Sequence, residues 1–173
     1  MDTPVPDAVV RRPLRAARLA VVLSLAGVCL VAPAGATSAA PPASTGTRTA
    51  MTGDTYEARV ELYVNQRRAA HGLRPLRFES CADMTAERWA EQIASTGDLV
   101  HQSSGAIIGA CHVSYAGETL GRGGFGPRTL LRAWMRSPLH RAVVLSPLAK
   151  RIGVGSYRDG SGRWVTSASF TRR

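Results

Sequence analysis

The sequence predicts a single α+β domain, a sandwich of helices on a sheet, behind a cleavable leader. Three observations carry that expectation. Apolar residues recur at helical spacing in several segments between residues 55 and 145, they alternate from Ile152 to Phe170 around a glycine-rich turn, and strand and helix do not alternate in the βαβ manner. A chain of 173 residues, 45% apolar and 20% charged, suits one globular domain of ordinary size.

The leader is read first. Arg11, Arg12, Arg15 and Arg18 precede an apolar run from Leu19 to Val31, followed by Ala34-Gly35-Ala36, the pattern of a secretory signal peptide. Thirteen helical residues reach only ~20 Å against ~30 Å of hydrocarbon, which argues against a retained span. Cleavage is expected after Ala36, so that residues 1–36 are the signal peptide, the product is secreted, and no transmembrane segment remains. Cys29 leaves with the leader. Residues 37–53, rich in Ala, Pro, Ser, Thr and Gly, read as a flexible linker, and 54–173 as the folded domain.

Asp54-x-x-Glu57 has the form of a capping box, and Tyr56, Val60, Tyr63, Val64 and Ala70 then share a helical face until Gly72, predicting a helix over 55–71. His71 falls at its carboxyl end and is given no chemical role. After a Pro75-bearing loop, Ser80-x-x-Asp83 opens a second helix whose Ala82, Ala86, Trp89, Ala90 and Ile93 recur at helical spacing, with Gly97 as its stop. The glycine- and turn-rich stretch from Asp98 to Gly126 reads as loop. Pro127 suits a first helical position, followed by the apolar face Leu130, Leu131 and Trp134. A short helix from Pro138 to Leu145 is expected to be capped by Ser137 and to carry His140 in its first turn. The alternating segments around Asp159-Gly160-Ser161-Gly162 predict a carboxyl-terminal β-hairpin. The three tryptophans suit packing better than ligand stacking.

Two cysteines survive removal of the leader, and in an oxidising compartment Cys81 and Cys111 are expected to pair. Their spacing lacks the CxxC pattern of a thiolate metal site, and His112 beside Cys111 reads as a loop residue. Four Arg and two Asp lie before residue 37, so the formal charge of +10 on the whole chain becomes +8 on the mature one. All but one of the basic residues are Arg and they are dispersed, which fits attraction to anionic wall polymers or lipid headgroups, or simply a solvated basic surface, and does not favour nucleic acid.

Three segments place chemistry-bearing side chains beside small or turn-forming residues: Leu99–Ser103, Gly117–Leu120 and Ser137–Arg141. Brought together, His101, Glu118 and His140 form one polar site. Two imidazoles and a carboxylate can act as three ligands of a divalent cation with an open position, as a proton relay, or as a buried hydrogen-bonded cluster that only orders loops. Spacing alone does not choose among them. Ser103, two residues from His101, supplies with Glu118 a superficial Ser-His-Glu set for a peptidase-like hydrolase. No Gly-x-Ser-x-Gly elbow accompanies it, so the sequence leans against an enzyme. Tyr115 is the best aromatic candidate for the rim of the site.

The ordered segments resemble the CAP superfamily of cysteine-rich secretory proteins, antigen 5 and pathogenesis-related proteins, in particular its short bacterial secreted branch. The motifs are Val64-Asn65-Gln66-Arg67-Arg68 with Gly72-Leu73-Arg74-Pro75-Leu76, then His101-x-Ser103, Gly117-Glu118-Thr119-Leu120, Trp134-Met135-x-Ser137-Pro138-x-His140-Arg141, and Ile152-Gly153-Val154-Gly155. The resemblance implies a three-layer α-β-α sandwich with His101, Glu118 and His140 lining a central cavity where the histidines can hold a divalent metal. Animal members usually add a second glutamate, whereas no Asp or Glu stands between Glu118 and Asp159 here, and Ser137 takes its place. One carboxylate at most favours Zn²⁺ over Ca²⁺. Thr119, Leu139 and Val143 replace the family's Asn, Gly and Asn, making a more apolar site. Family precedent further implies an extracellular, mostly non-catalytic module for a lipid, sterol or cell-surface ligand.

Overall fold

The computed structural model describes residues 50–173; the leader and all but the last positions of the 37–53 linker lie outside the described residues. Nine elements follow: α1 (Gly53–Ala70), β1 (Arg77–Phe78), α2 (Ser80–Thr96), α3 (Ser104–Cys111), β2 (Tyr115–Gly123), α4 (Pro127–Arg136), α5 (Pro138–Val144), β3 (Arg151–Arg158) and β4 (Trp164–Arg172). The strands form one mixed sheet in the order β1-β3-β4-β2, with β4 antiparallel to both β3 and β2 and the two-residue β1 parallel to β3.

The central strand β4 is buried along nearly its whole length because helices cover both faces. Side chains alternate across a strand, so Trp164, Ala168 and Phe170 join Ile152 and Val154 against Tyr56, Val60 and Val64 of α1 and Leu130, Leu131 and Trp134 of α4. On the other face Val165 and Leu120 meet Ile93 of α2. Helices, sheet and helix make the α-β-α sandwich. Gly153 and Gly155 let α2 lie directly on β3, since a Cβ at either would overlap the backbone of Asp83 or Glu87.

The helix starts differ from expectation in an instructive way. Neither acidic box caps its own helix. Thr52 caps α1 through its hydroxyl, which accepts from the Thr55 amide. Glu57 instead accepts from Ser156 N at 2.6 Å, and Asp83 accepts from Val154 N at 3.0 Å. Because β1 pairs with only Arg151 and Ile152, the β3 amides beyond it lack a strand partner, and the two carboxylates fill that gap. The helix also begins at Gly53, inside the stretch assigned to the linker. Ala70 is exposed, and Arg68 takes its place on the buried stripe of α1.

The segment read as loop over Asp98–Gly126 contains α3 and β2. Three glycines in β2 masked its strand character, and pairing with the full length of β4 overrides their low propensity. Gly72 and Gly97 end their helices in the left-handed region, Pro127 opens α4, and the hairpin turns where expected, with Asp159 Oδ1 accepting from Ser161 N and Arg163 N. Ser137 occupies the N-cap position of α5 without donating or accepting a side-chain capping bond. Cys81 and Cys111 are joined, tying α3 to α2.

Candidate functional site

A cavity of about 700 Å³ opens beside the edge strand β2. His101 comes from the loop after α2, Tyr115 and Glu118 from β2, and Ser137, Leu139 and His140 from the start of α5. The three segments singled out in the sequence thus meet at one cavity.

Its anchor is Glu118, whose carboxylate is buried beside β4 and receives four donors. Oε2 accepts from His101 Nδ1 at 2.6 Å and from Gln102 N at 3.3 Å; Oε1 accepts from Gln102 Nε2 at 2.8 Å and from Ser167 Oγ at 3.0 Å. A carboxylate only accepts, so Nδ1 of His101 carries a proton and Nε2 is the ring nitrogen left to meet a ligand. The His101 side chain is 54% exposed while that of Glu118 is 4% exposed, so a buried charge orients an accessible ring. Trp89 adds a second hold on this loop, donating from Nε1 to the Val100 carbonyl at 2.9 Å.

The His140 ring lies 6.2 Å from that of His101, centre to centre, tilted by 46°. Burial, and then the neighbouring His101, lower the pKa of His140, so its free base is favoured at neutral pH. Gly117 lets α5 approach β2: a Cβ there would press Tyr115 Oη at 3.1 Å and Val143 Cγ1 at 3.2 Å. Leu139 stands at the mouth, 82% exposed.

Two expectations change. Ser103 is an exposed N-cap residue of α3 and does not line the cavity, whereas Ser104 does; the hydrolase set loses its proposed nucleophile. Among the described residues, no group of three or more His, Cys, Asp or Glu side chains is arranged to hold a metal ion. The reason is physical: Glu118 is saturated by its four donors and faces His101 Nδ1, so it supports an imidazole instead of standing as a third ligand. Two imidazoles are what remains for a cation.

Sequence reasoning missed Arg68, the residue that sets α5 in place. Only 2% exposed, its guanidinium donates to the carbonyls of Val144 and Ser146 at 2.9 Å each, and to those of Arg74 and Ala149 at 3.2 and 3.3 Å. The signal was present, because Arg68 continues the four-residue stripe Tyr56, Val60, Val64 into the core. Gln102 was missed too, being an unremarkable polar residue between two candidates.

Fold and cavity together define a CAP-type domain, and comparison with known proteins agrees. The model of the CAP, or cysteine-rich secretory protein, family matches residues 62–168, more than half of the chain, and the protein belongs to that family. A curated relative, the uncharacterized protein YkwD of Bacillus subtilis (strain 168), is 31% identical over 113 residues; the match covers 61% of this chain and 44% of the relative, so the chain spans less than half of that protein. A cysteine-rich secretory protein of Staphylococcus aureus shares the fold with a TM-score of 0.61 at 21% identity, over 70% of this chain and 40% of that one. An extracellular SCP-domain protein of Bacillus anthracis gives 0.63 at 19%, over 70% and 41%. An outer surface protein of Borrelia burgdorferi gives 0.58 at 17%, over 66% and 90%.

Proposed function

We propose that this CAP-domain protein is secreted and acts as a non-enzymatic extracellular binding module, taking a ligand with an apolar body and a polar end into the cavity between β2 and α5. A lipid or a sterol has that form. The observation that carries the reading is the clamp on His101. A saturated, buried carboxylate holds one imidazole towards open space, with a second, neutral imidazole beside it and Tyr115, Leu139 and Val143 as apolar walls. A few convergent polar groups in an otherwise apolar cleft are what an amphiphile requires. The basic surface suits an anionic cell-wall polymer or headgroup as the context in which the module works. The leader and the secreted or extracellular descriptions of the structural neighbours support an extracellular location. Among the described residues no helix is long and apolar enough to cross a membrane.

The test is a panel titration of the mature chain with a fluorescent sterol, a fluorescent fatty acid and an anionic wall polymer, repeated with Leu139→Asp. Saturable binding of a lipid probe, weakened by a charge at the mouth, is expected; absence of binding across the panel would remove the reading.

One observation favours a second reading, a divalent metal such as Zn²⁺. The Nδ1–H···carboxylate bond to Glu118 is the arrangement that raises the basicity of a ligating His and fixes its ring, leaving Nε2 of His101 and the His140 ring as the two protein ligands. A bound Zn²⁺ would supply Lewis acidity for a ligand oxygen. Calorimetric titration of Zn²⁺ into the wild type and His140→Ala distinguishes the cases: one-site binding lost in the variant supports the metal, and no binding to the wild type eliminates it.

A further inference from the structure

On the other side of the domain from α2, a groove of about 390 Å³ runs between α1 and α4, lined by Tyr63, Gln66, Arg67, Arg128, Leu131 and Arg132 among others. Its sequence sets like charges side by side. Helix α4 has no acidic residue, and Arg128, Arg132 and Arg136 repeat at four-residue intervals along it. Like charges at that spacing repel, and Arg128 sits in the first turn, against the positive end of the helix dipole. No acidic side chain on α4 offsets this. Among the described residues Arg122, Arg151, Arg163 and Arg173 each stand within ion-pair distance of a carboxylate, while Arg67, Arg128 and Arg132, like most of the arginines, do not. Charge is segregated across α1: Glu57 and Glu61 lie with Asp83 and Glu87 of α2 at a separate groove.

The geometry also prepares the groove. The Arg128 guanidinium lies over the Tyr63 ring, 4.9 Å from its centre. Arg132 Nη2 donates to Thr129 Oγ1 at 2.9 Å, leaving its remaining donors free, and the buried Leu131 forms an apolar floor. From these features we infer that the α1–α4 groove is an anion site for a phosphate-bearing ligand, recognised through the guanidinium forks of Arg67, Arg128 and Arg132. A fork presents paired N–H donors that match two phosphate oxygens, and the groove falls within the size range of small-molecule sites. A phosphate there relieves the repulsion along α4 and meets the positive end of its dipole. The shared chemistry is the phosphoryl group, whether on a soluble phosphate ester or on a lipid headgroup. This site is separate from the β2–α5 cavity, and the failure of either leaves the other standing.

The experiment is titration of inorganic pyrophosphate at low salt, and in parallel of vesicles of phosphatidylglycerol or phosphatidylcholine, into wild type, Arg128→Gln, Arg132→Gln, Arg132→Lys and Arg88→Gln. Arg88, exposed on α2, controls for net charge. One-site pyrophosphate binding that falls at least tenfold in Arg128→Gln and Arg132→Gln, partly returns in Arg132→Lys and is unchanged in Arg88→Gln is the expected result. The same variant pattern with phosphatidylglycerol vesicles alone supports the site and assigns the headgroup as its source. Thermal midpoints of the Gln variants within a few degrees of wild type separate lost binding from lost fold. Equal loss in Arg88→Gln overturns the inference in favour of diffuse charge, and so does absence of saturable binding to both probes.

Discussion

Replacing Arg68 by Met tests how the cavity is held together. The substitution preserves the length and much of the volume of the buried stem but removes every donor that reaches the Arg74, Val144, Ser146 and Ala149 carbonyls. The two bonds at 2.9 Å matter most, since the Val144 and Ser146 carbonyls they serve lie in buried residues. Each buried acceptor left unsatisfied costs ~1–3 kcal/mol, so the pair predicts a loss of about 4 kcal/mol. The guanidinium is itself costly to bury, and its pKa is lowered for that reason, which keeps the net loss from being larger. In a domain of this size that corresponds to a fall of ~15 °C in thermal midpoint. Urea denaturation followed by tryptophan fluorescence measures it, and Arg68→Lys, with one charged group for four acceptors, should fall between. A loss below ~1 kcal/mol in Arg68→Met would refute the argument that this side chain fixes the segment after α5.

Burial raises the pKa of both Glu57 and Glu61 to about 7, with neighbouring carboxylates adding to the shift. Their folded pKa values exceed the unfolded ones, so their contribution is fully present below about 4.5, the ordinary value, and is lost as pH rises through about 7. Thermal melts from pH 5 to 8 should therefore show a fall in stability with rising pH that is shallower in Glu57→Gln and Glu61→Gln; an identical slope in the variants would refute this. Opening the Cys81–Cys111 bridge by Cys→Ser substitution at both positions should cost about 3.5 kcal/mol in the chain-entropy model for a separation of 30 residues, measured by urea denaturation. Gly155→Ala forces a methyl group into the Glu87 backbone and should cost at least ~1–3 kcal/mol by the same assay, whereas an unchanged midpoint would mean that α2 can move away from β3 freely.

The parts of the molecule legible in the sequence were those governed by local rules. Helical stripes such as Ala82-Ala86-Ala90 read correctly, as did Gly72 and Gly97 as stops, Pro127 as a start and the hairpin around Asp159, because each depends on residues within a turn or two. Glu57 and Asp83 misread for the opposite reason. Their spacing fits a capping box, but their partners are strand amides 99 and 71 residues away. β2 was hidden because its strand identity comes from pairing with β4, not from its glycine-rich composition. At the cavity, residue types and flanking turns marked His101, Glu118 and His140. What could not be read was the direction of the Glu118 carboxylate, which is decided by Ser167 from β4 and by Gln102. That direction turns an expected metal ligand into the group that orients one. Arg68 remained hidden because two adjacent arginines at a helix end look like surface residues until the period of the buried stripe is followed through them.

The measurement that bears most directly on the account is a paired determination of lipid-probe affinity and thermal midpoint for wild type and His140→Ala. Among the described residues His140 contributes no side-chain hydrogen bond, so its removal should leave the midpoint within a few degrees while weakening the probe at least tenfold. A variant that melts much earlier yet binds as the wild type does would contradict the account and make the two histidines and Glu118 a cluster that serves the fold alone.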